Sequence, residues 1–371
     1  MPLDIVSYRL HNQYLSHHKF NQAAEIIRSL GAVQAQDFGG AKWAIGLRSE
    51  GLTDADVTRS FDNGSILRTH MLRPTWHFAA PEDIRWMLAL TAPRVRAQIA
   101  FLDRQLEVDR NIIKKSSATL VKALRNGKHL TRRELEPVYQ RAGIPTQGIR
   151  IGHILMHAEL DGLICSGPRK GKQFTYALLE ERVPPAKAKS REESLAELVR
   201  RYFLTRGPAT LQDFSWWSGL TMKDARDGIE MVQSQFVRET IDGQIYWFAE
   251  SGPLAPETSP AVHLLPNYDE FVVGYKDRSA IGNVAAQTSL DNNEQAMLAY
   301  VVLLNGQVVG GWKRSLGKQK VDVQVNIIPR LTLKEQQALS DAVERFGKFL
   351  GLPTLFVHKE YKIEQRTSRS F

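Results

Sequence analysis

A single cysteine, Cys165, in 371 residues excludes an internal disulfide. CxxC and HExxH signatures are missing, and with no His/Cys pair read at zinc-ligand spacing no metal is expected. No apolar run reaches the roughly 18 residues that cross a bilayer. The first residues, MPLDIVSYRLHNQYL, lack the basic start and apolar centre of a secretion signal. A cytoplasmic protein without membrane contact is therefore expected. There is also no GxSxG elbow, no Walker loop and no GxGxxG set between strand and helix. These absences leave no cofactor to expect.

What remains is globular: 43% of the residues are hydrophobic and 24% charged, enough for several cores. The 49 Lys and Arg against 40 Asp and Glu leave a net charge of +9, which favours a polyanionic partner such as nucleic acid.

Apolar spacing at Ala23, Ile26, Ile27 and Leu30, and again at Ala41, Ala44, Ile45 and Leu47, predicts helices. Thr53 caps a helix over 54–62, Asn63-Gly64 turns the chain, and strands at 65–69 and 75–79 form a hairpin whose tip carries Arg68 and Arg73. A helix from Pro81 is broken or kinked at Pro93. Three helices then precede two strands flanking Gly167-Pro168-Arg169-Lys170-Gly171-Lys172, a basic hairpin tip. After the linker at 182–189 the same order returns, closing on an Asp242-Gly243 hairpin. Three helices and a hairpin make a winged helix, so the pattern reads as one module repeated in architecture. Charge separates the copies: 116–182 holds eleven Lys/Arg against six Asp/Glu, whereas 190–250 holds seven against ten. Only the middle wing is suited to phosphates. Trp216-Trp217, in the acidic copy, is expected to pack in a core or interface. Beyond a linker at 251–256 come strands at 261–265, 271–275, 299–304, 307–310 and 321–325, a helix over 333–350 and an edge strand at 354–358.

The expected fold is mainly α with α+β parts: tandem winged-helix (helix-turn-helix) modules followed by a small C-terminal β-rich α+β domain. The boundaries are 1–115, with a helical extension; 116–185, with the basic wing; 190–250, acidic; and 260–371.

Val33-Gln34-Ala35-Gln36-Asp37 lies between Gly31 and Gly39-Gly40. On a helix the two glutamines would point about 200° apart, whereas in an extended segment i and i+2 share a face. They are expected on one face of a non-helical turn lining a positive concave surface. Carboxylates at 269–270 and 277 are read as structural ion pairs.

Three stretches resemble one family. They are Gln34-Ala35-Gln36-Asp37; Leu67-Arg68-Thr69-His70-Met71-Leu72-Arg73-Pro74-Thr75-Trp76-His77; and Leu265-Pro266-Asn267-Tyr268-Asp269-Glu270-Phe271-Val272-Val273-Gly274-Tyr275-Lys276-Asp277-Arg278. Together, and over essentially the whole chain, they are similar to the AlkZ/YcaQ family of bacterial DNA glycosylases. The resemblance implies tandem winged helices and excision of alkylated bases, with unhooking of interstrand crosslinks. It also implies a catalytic motif of glutamine, aliphatic residue, then glutamine or aspartate, on which Gln34 and Gln36 fall.

The expected function is thus a monofunctional glycosylase acting as a monomer on alkylated or crosslinked double-stranded DNA. Gln34 and Gln36 are its catalytic residues, Asp37 a less favoured water activator, and Arg68, Arg73, Arg169, Lys170 and Lys172 its phosphate contacts. Two alternatives stand beside it: a winged-helix DNA-binding protein or transcriptional regulator without chemistry, and a protein-binding adaptor.

Overall fold

Helix starts are written into this chain as pairs of hydroxyl and carboxylate. Thr53/Asp56, Thr131/Glu134, Ser190/Glu193, Thr210/Asp213, Thr221/Asp224 and Thr332/Glu335 each close a reciprocal capping box in the computed structural model. Residues 3–17, 20–250, 260–282 and 299–360 are described; the expected linker at 251–256 lies outside them.

The chain begins with α1 (Ile5–Asn12), α2 (Ala23–Leu30), β1 (Val33–Gln34), α3 (Phe38–Leu47) and α4 (Asp54–Asp62). The hairpin β2 (Leu67–Met71) and β3 (Thr75–Ala79) and the long α5 (Pro81–Gln105) follow. The middle segment holds α6 (Arg110–Leu124), β4 (Leu130–Thr131), α7 (Arg132–Arg141), α8 (Arg150–Leu160), β5 (Ile164–Ser166), β6 (Thr175–Leu178) and the single turn α9 (Leu179–Arg182). Next come α10 (Arg191–Arg206), α11 (Leu211–Ser218), α12 (Met222–Val232) and the hairpin β7 (Val237–Ile241) and β8 (Gln244–Phe248). The last segment has β9 (Val262–Leu264), α13 (Glu270–Val273), β10 (Val301–Leu304), β11 (Gln307–Leu316), β12 (Val321–Ile327), α14 (Leu333–Leu350) and β13 (Thr354–Glu360). The architecture is a mixture of helix and sheet. No helix of the described residues is long and apolar enough to cross a membrane.

Strand order is β1-β3-β2 in the first sheet, β4-β6-β5 in the second, β7-β8 in the third and β13-β12-β11-β10-β9 in the last. Among the described strands only β13 runs parallel to its neighbour, because α14 carries the chain back across the sheet before β13 begins.

One expectation changes and another is narrowed. The stretch at 271–275 is not a strand: Asp269 accepts the Phe271 N–H and starts the short α13, while the buried Glu270 anchors its first turn. Two paired carboxylates outweigh the β-preference of Val272 and Val273. Pro93 does not end its helix; α5 runs through it. Proline forfeits one backbone bond, but Leu88, Leu90, Ala92, Val95 and Ile99 stay buried on both sides of it and hold the helix together.

Burial joins distant segments. Trp43 of α3 packs on Phe346 and Phe349 of α14 and donates its indole N–H to the Leu264 carbonyl at 2.7 Å, so the N-terminal helices and the last sheet share one core. A second core gathers the β2–β3 hairpin, the first half of α5 and α10 to α12, and a third belongs to α6–α8 with β5 and β6.

Two buried ion pairs run between these cores. Arg48 donates to both oxygens of Asp269 at 2.8 and 2.7 Å. Glu270 accepts from Arg206 at 2.6 Å, from the Trp217 indole at 2.9 Å and from the backbone N–H of Gln34 at 2.8 Å. Removing one partner of such a pair strands a buried charge at a cost of about 3–5 kcal/mol. Glu270→Ala should therefore lower the unfolding free energy in denaturant titrations by about that amount; a loss under about 1 kcal/mol, the range of surface pairs, would show the clamp to be dispensable. Cys165 is buried and its thiol is pushed up to about 12 by desolvation. A thiol reagent at neutral pH should find no reactive group in the native protein and one after denaturation.

Candidate active site

The motif segment is extended. Gln34 sits in β1 opposite His77 of β3, the Ala35 N–H donates to the Trp76 carbonyl at 2.7 Å, and the chain bends at Gln36 and Asp37 before α3 starts. Gln34 belongs to the two-residue β1 and Gln36 to the bend that follows it, so the shared face expected of an extended i, i+2 pair is not given by the strand itself.

Each amide has its own restraint. The Oε1 of Gln34, a residue only 7% exposed, accepts from Arg73 at 2.9 Å. Gln36 is exposed, and its Oε1 accepts the Trp76 backbone N–H at 3.4 Å. Each amide oxygen has a second lone pair, so a water can be held without breaking either contact. Behind the strand, Arg206 donates to the Leu30 and Ala32 carbonyls at 2.8 and 3.1 Å while Glu270 takes the Gln34 N–H. Backbone and side chain of Gln34 are thus fixed from opposite sides.

The titratable groups beside Gln34 among the described residues are committed: Glu270 is buried in its pair with Arg206. His77 is fully buried; desolvation, reinforced by Arg73, holds its pKa well below the ordinary imidazole value, so it is neutral at physiological pH. Asp37 accepts from the Tyr300 hydroxyl at 2.9 Å and lies 3.8 Å from Arg314 of β11. Burial and this carboxylate together push the Tyr300 phenol up to about 12.

The basic residues divide by burial. Arg68 lies within β2, not at the hairpin tip: its Nε donates to the Ala35 carbonyl at 3.0 Å and its guanidinium stands 4.3 Å from the Trp76 ring and 4.6 Å from that of Phe174. Desolvation lowers its pKa to about 10. It braces the backbone between the two glutamines. Arg73 does sit at the hairpin tip, largely buried and committed to Gln34. Arg169 is half-buried, its backbone N–H on Asp62 and its guanidinium above Phe38 at 5.3 Å. Lys170 pairs with Glu134 in solvent, and Lys172 is exposed at the tip that Gly171 turns with φ 61°.

Several members of this site were not read from sequence. Glu270 and Arg206 support it from 236 and 172 residues away along the chain, and Trp216 is 46% exposed beside Arg73. Adjacent helical residues point about 100° apart, so Trp216 and Trp217 could not both enter one core; Trp217 is the buried one. Elsewhere, His153 and His157, spaced i and i+4 on α8, converge on Asp103 of α5, an arrangement visible in the sequence as H-x3-H. This corrects the reading that no histidines stand at ligand spacing. The Nδ1 of His153 is buried and makes no hydrogen bond among the described residues, whereas a metal-bound imidazole ordinarily donates there, so the donor set fits a hydrogen-bonded brace between helices better than a metal.

A family model described as DNA glycosylase AlkZ-like matches residues 27–349. The chain is 22% identical, over 95% of its own length and 98% of the relative's, to a protein of Streptomyces sahachiroi named interstrand DNA cross-link repair glycosylase. Its fold superimposes with a TM-score of 0.75 on the solved structure of the Streptomyces sahachiroi DNA glycosylase AlkZ, at 20% identity and covering 95% and 98% of the two chains. With the family model spanning most of its length, including the segment that carries Gln34 and Gln36, this chain belongs to the family of AlkZ-like DNA glycosylases.

Proposed function

We propose that this chain is a monofunctional glycosylase that hydrolyses the N-glycosidic bond of N7- and N3-alkylated purines in duplex DNA and unhooks interstrand crosslinks built on such bases. The observation that carries it is the pair of amides, Gln34 and Gln36, each restrained in one short non-helical segment, the first by Arg73 and the second by the Trp76 backbone N–H. The name of the Streptomyces sahachiroi relative supports the crosslink substrate.

An alkylated purine is cationic and leaves as a neutral base, so its departure requires no general acid. What the reaction needs is a placed water and stabilisation of positive charge at C1′. Amide oxygens do both, although they cannot act as general bases near neutral pH. Water adds to C1′, the C1′–N bond breaks, and the water proton passes to solvent. Amides form no Schiff base, which favours glycosylase without lyase activity. Burial lowers the pKa of Arg73 from its ordinary value, and Glu270 opposes that shift. Asp37, bonded to Tyr300, is assigned to holding the bend. The three-helix-and-hairpin segments support tandem winged helices, with 116–185 meeting the phosphates through Lys170 and Lys172.

Gln34→Ala and Gln36→Ala should each slow single-turnover release of 7-methylguanine by about 100-fold or more, the scale of losing a preorganised polar group. Affinity for the same duplex should stay within about threefold; wild-type rates in both variants would sink the assignment. Arg73→Met should slow release by about tenfold through a mobile Gln34. Asp37→Asn should lose less than either glutamine variant, and a deeper loss would return Asp37 to the chemistry. The double variant Lys170→Ala, Lys172→Ala should weaken DNA binding whatever the sequence and reduce the salt slope by about two, and an unaltered slope would exclude this hairpin as anchor.

A further inference from the structure

Beside Arg73 lies a cavity of about 520 Å³ between the β2–β3 hairpin, α5 and α11. Trp216 forms one wall, and Arg73, Arg94 and Lys276 bring three cations to it, with Gln98 and Gln212 between them. No carboxylate is found among the described residues that line it. A single exposed tryptophan means little by itself. Here it faces a cationic concavity one hydrogen-bonded residue away from the candidate catalytic amide: the Arg73 guanidinium stands 6.0 Å from the indole centroid and donates to Gln34 Oε1 at 2.9 Å.

The geometry is built, not incidental. Leu72 takes the left-handed conformation with φ 60°, and its carbonyl rests on Gly219 at the end of α11. A Cβ at Gly219 would stand 2.2 Å from that carbonyl, so only glycine lets the hairpin and the Trp216 helix approach this closely. An aromatic face joined to cationic groups, without acidic residues, is the chemistry that receives one nucleotide: the ring stacks a base and the cations meet phosphate. Three cations disfavour the positively charged alkylated base itself.

We propose that this cavity is a nucleotide subsite in which Trp216 stacks a neutral base of the DNA adjoining the lesion while Arg94 and Lys276 hold its phosphates. The inference rests on the DNA glycosylase reading above and extends it. Because Arg73 is shared, filling the subsite and fixing Gln34 are one event: a distorted strand is gripped next to the place where C1′ is attacked.

The test uses the full chain and a duplex carrying one tetrahydrofuran abasic-site analogue, which cannot be hydrolysed. Titrating it into the wild-type protein should quench tryptophan fluorescence saturably, and Trp216→Phe should lose that component while binding nearly as tightly. Trp216→Ala should weaken binding of the analogue duplex by roughly 10- to 100-fold, the scale of one base–aromatic contact, with release of 7-methylguanine falling in step. Its denaturation midpoint should not move, since the indole is half outside. Arg94→Gln with Lys276→Gln should reduce the salt slope by about two. Wild-type quenching in Trp216→Phe, or wild-type affinity in Trp216→Ala, overturns the subsite. A wild-type protein that releases no base defeats the glycosylase reading instead, and the quenching, affinity and salt slope still decide the subsite.

Discussion

Asp269 and Glu270 are adjacent in sequence, fully buried and paired with different arginines. Two neighbouring carboxylates cannot be taken out of water together unless each meets a partner of opposite charge and fills its remaining lone pairs. Arg48 comes from the end of α3 and Arg206 from the end of α10, so the pair can be satisfied only when the N-terminal helices, the α10–α12 segment and the last segment are assembled at once. Such a clamp adds little net stability over a well-packed apolar core, yet it admits one register, because any other leaves a charge stranded.

The candidate site inherits that register. Glu270 spends one oxygen on the Gln34 N–H, and Arg206 bonds the two carbonyls that lead into β1. The strand that carries Gln34 is two residues long and would not hold its place through its own ladder bonds. Its rigidity is borrowed from the buried ion pairs behind it. Groups that must be preorganised are in this way fixed by interactions that have no part in the reaction.

Charge tells a related story. The formal excess of +9 suggests a broadly cationic surface, but Arg9, Arg48, Arg68 and Arg206 are buried inside the structure. Arg9 lies 3.7 Å over the Tyr275 ring and donates to the Pro208 carbonyl, and Arg68 is sandwiched by Trp76 and Phe174. The guanidinium is planar and weakly hydrated, which suits it to such places. Net charge therefore does not say which cations meet a polyanion; the Lys170–Lys172 tip and the rim of the cavity beside Trp216 are two places where cations stand accessible.

Local chemistry was legible in the sequence. Capping pairs such as Thr53/Asp56 and Thr332/Glu335, and the Asp242-Gly243 turn with both residues at positive φ, act through neighbours within a few residues, so spacing alone reveals them. The order of helices and hairpins followed from the same signals, and the two glutamines were found because extended periodicity and family motifs met at one segment. The sequence alone did not determine which polar residues go inside. Arg68 and Arg73 read as hairpin cations for phosphate, yet Arg68 is a buried brace and the partly buried Arg73 is bonded to Gln34; Phe271 to Val273 read as strand and became helix; Trp216 and Trp217 read as a pair and were divided between surface and core. Each of those outcomes was decided by partners contributed from distant parts of the chain. Burial and charge pairing are properties of the assembled structure, and their energies exceed the local preferences that a sequence displays.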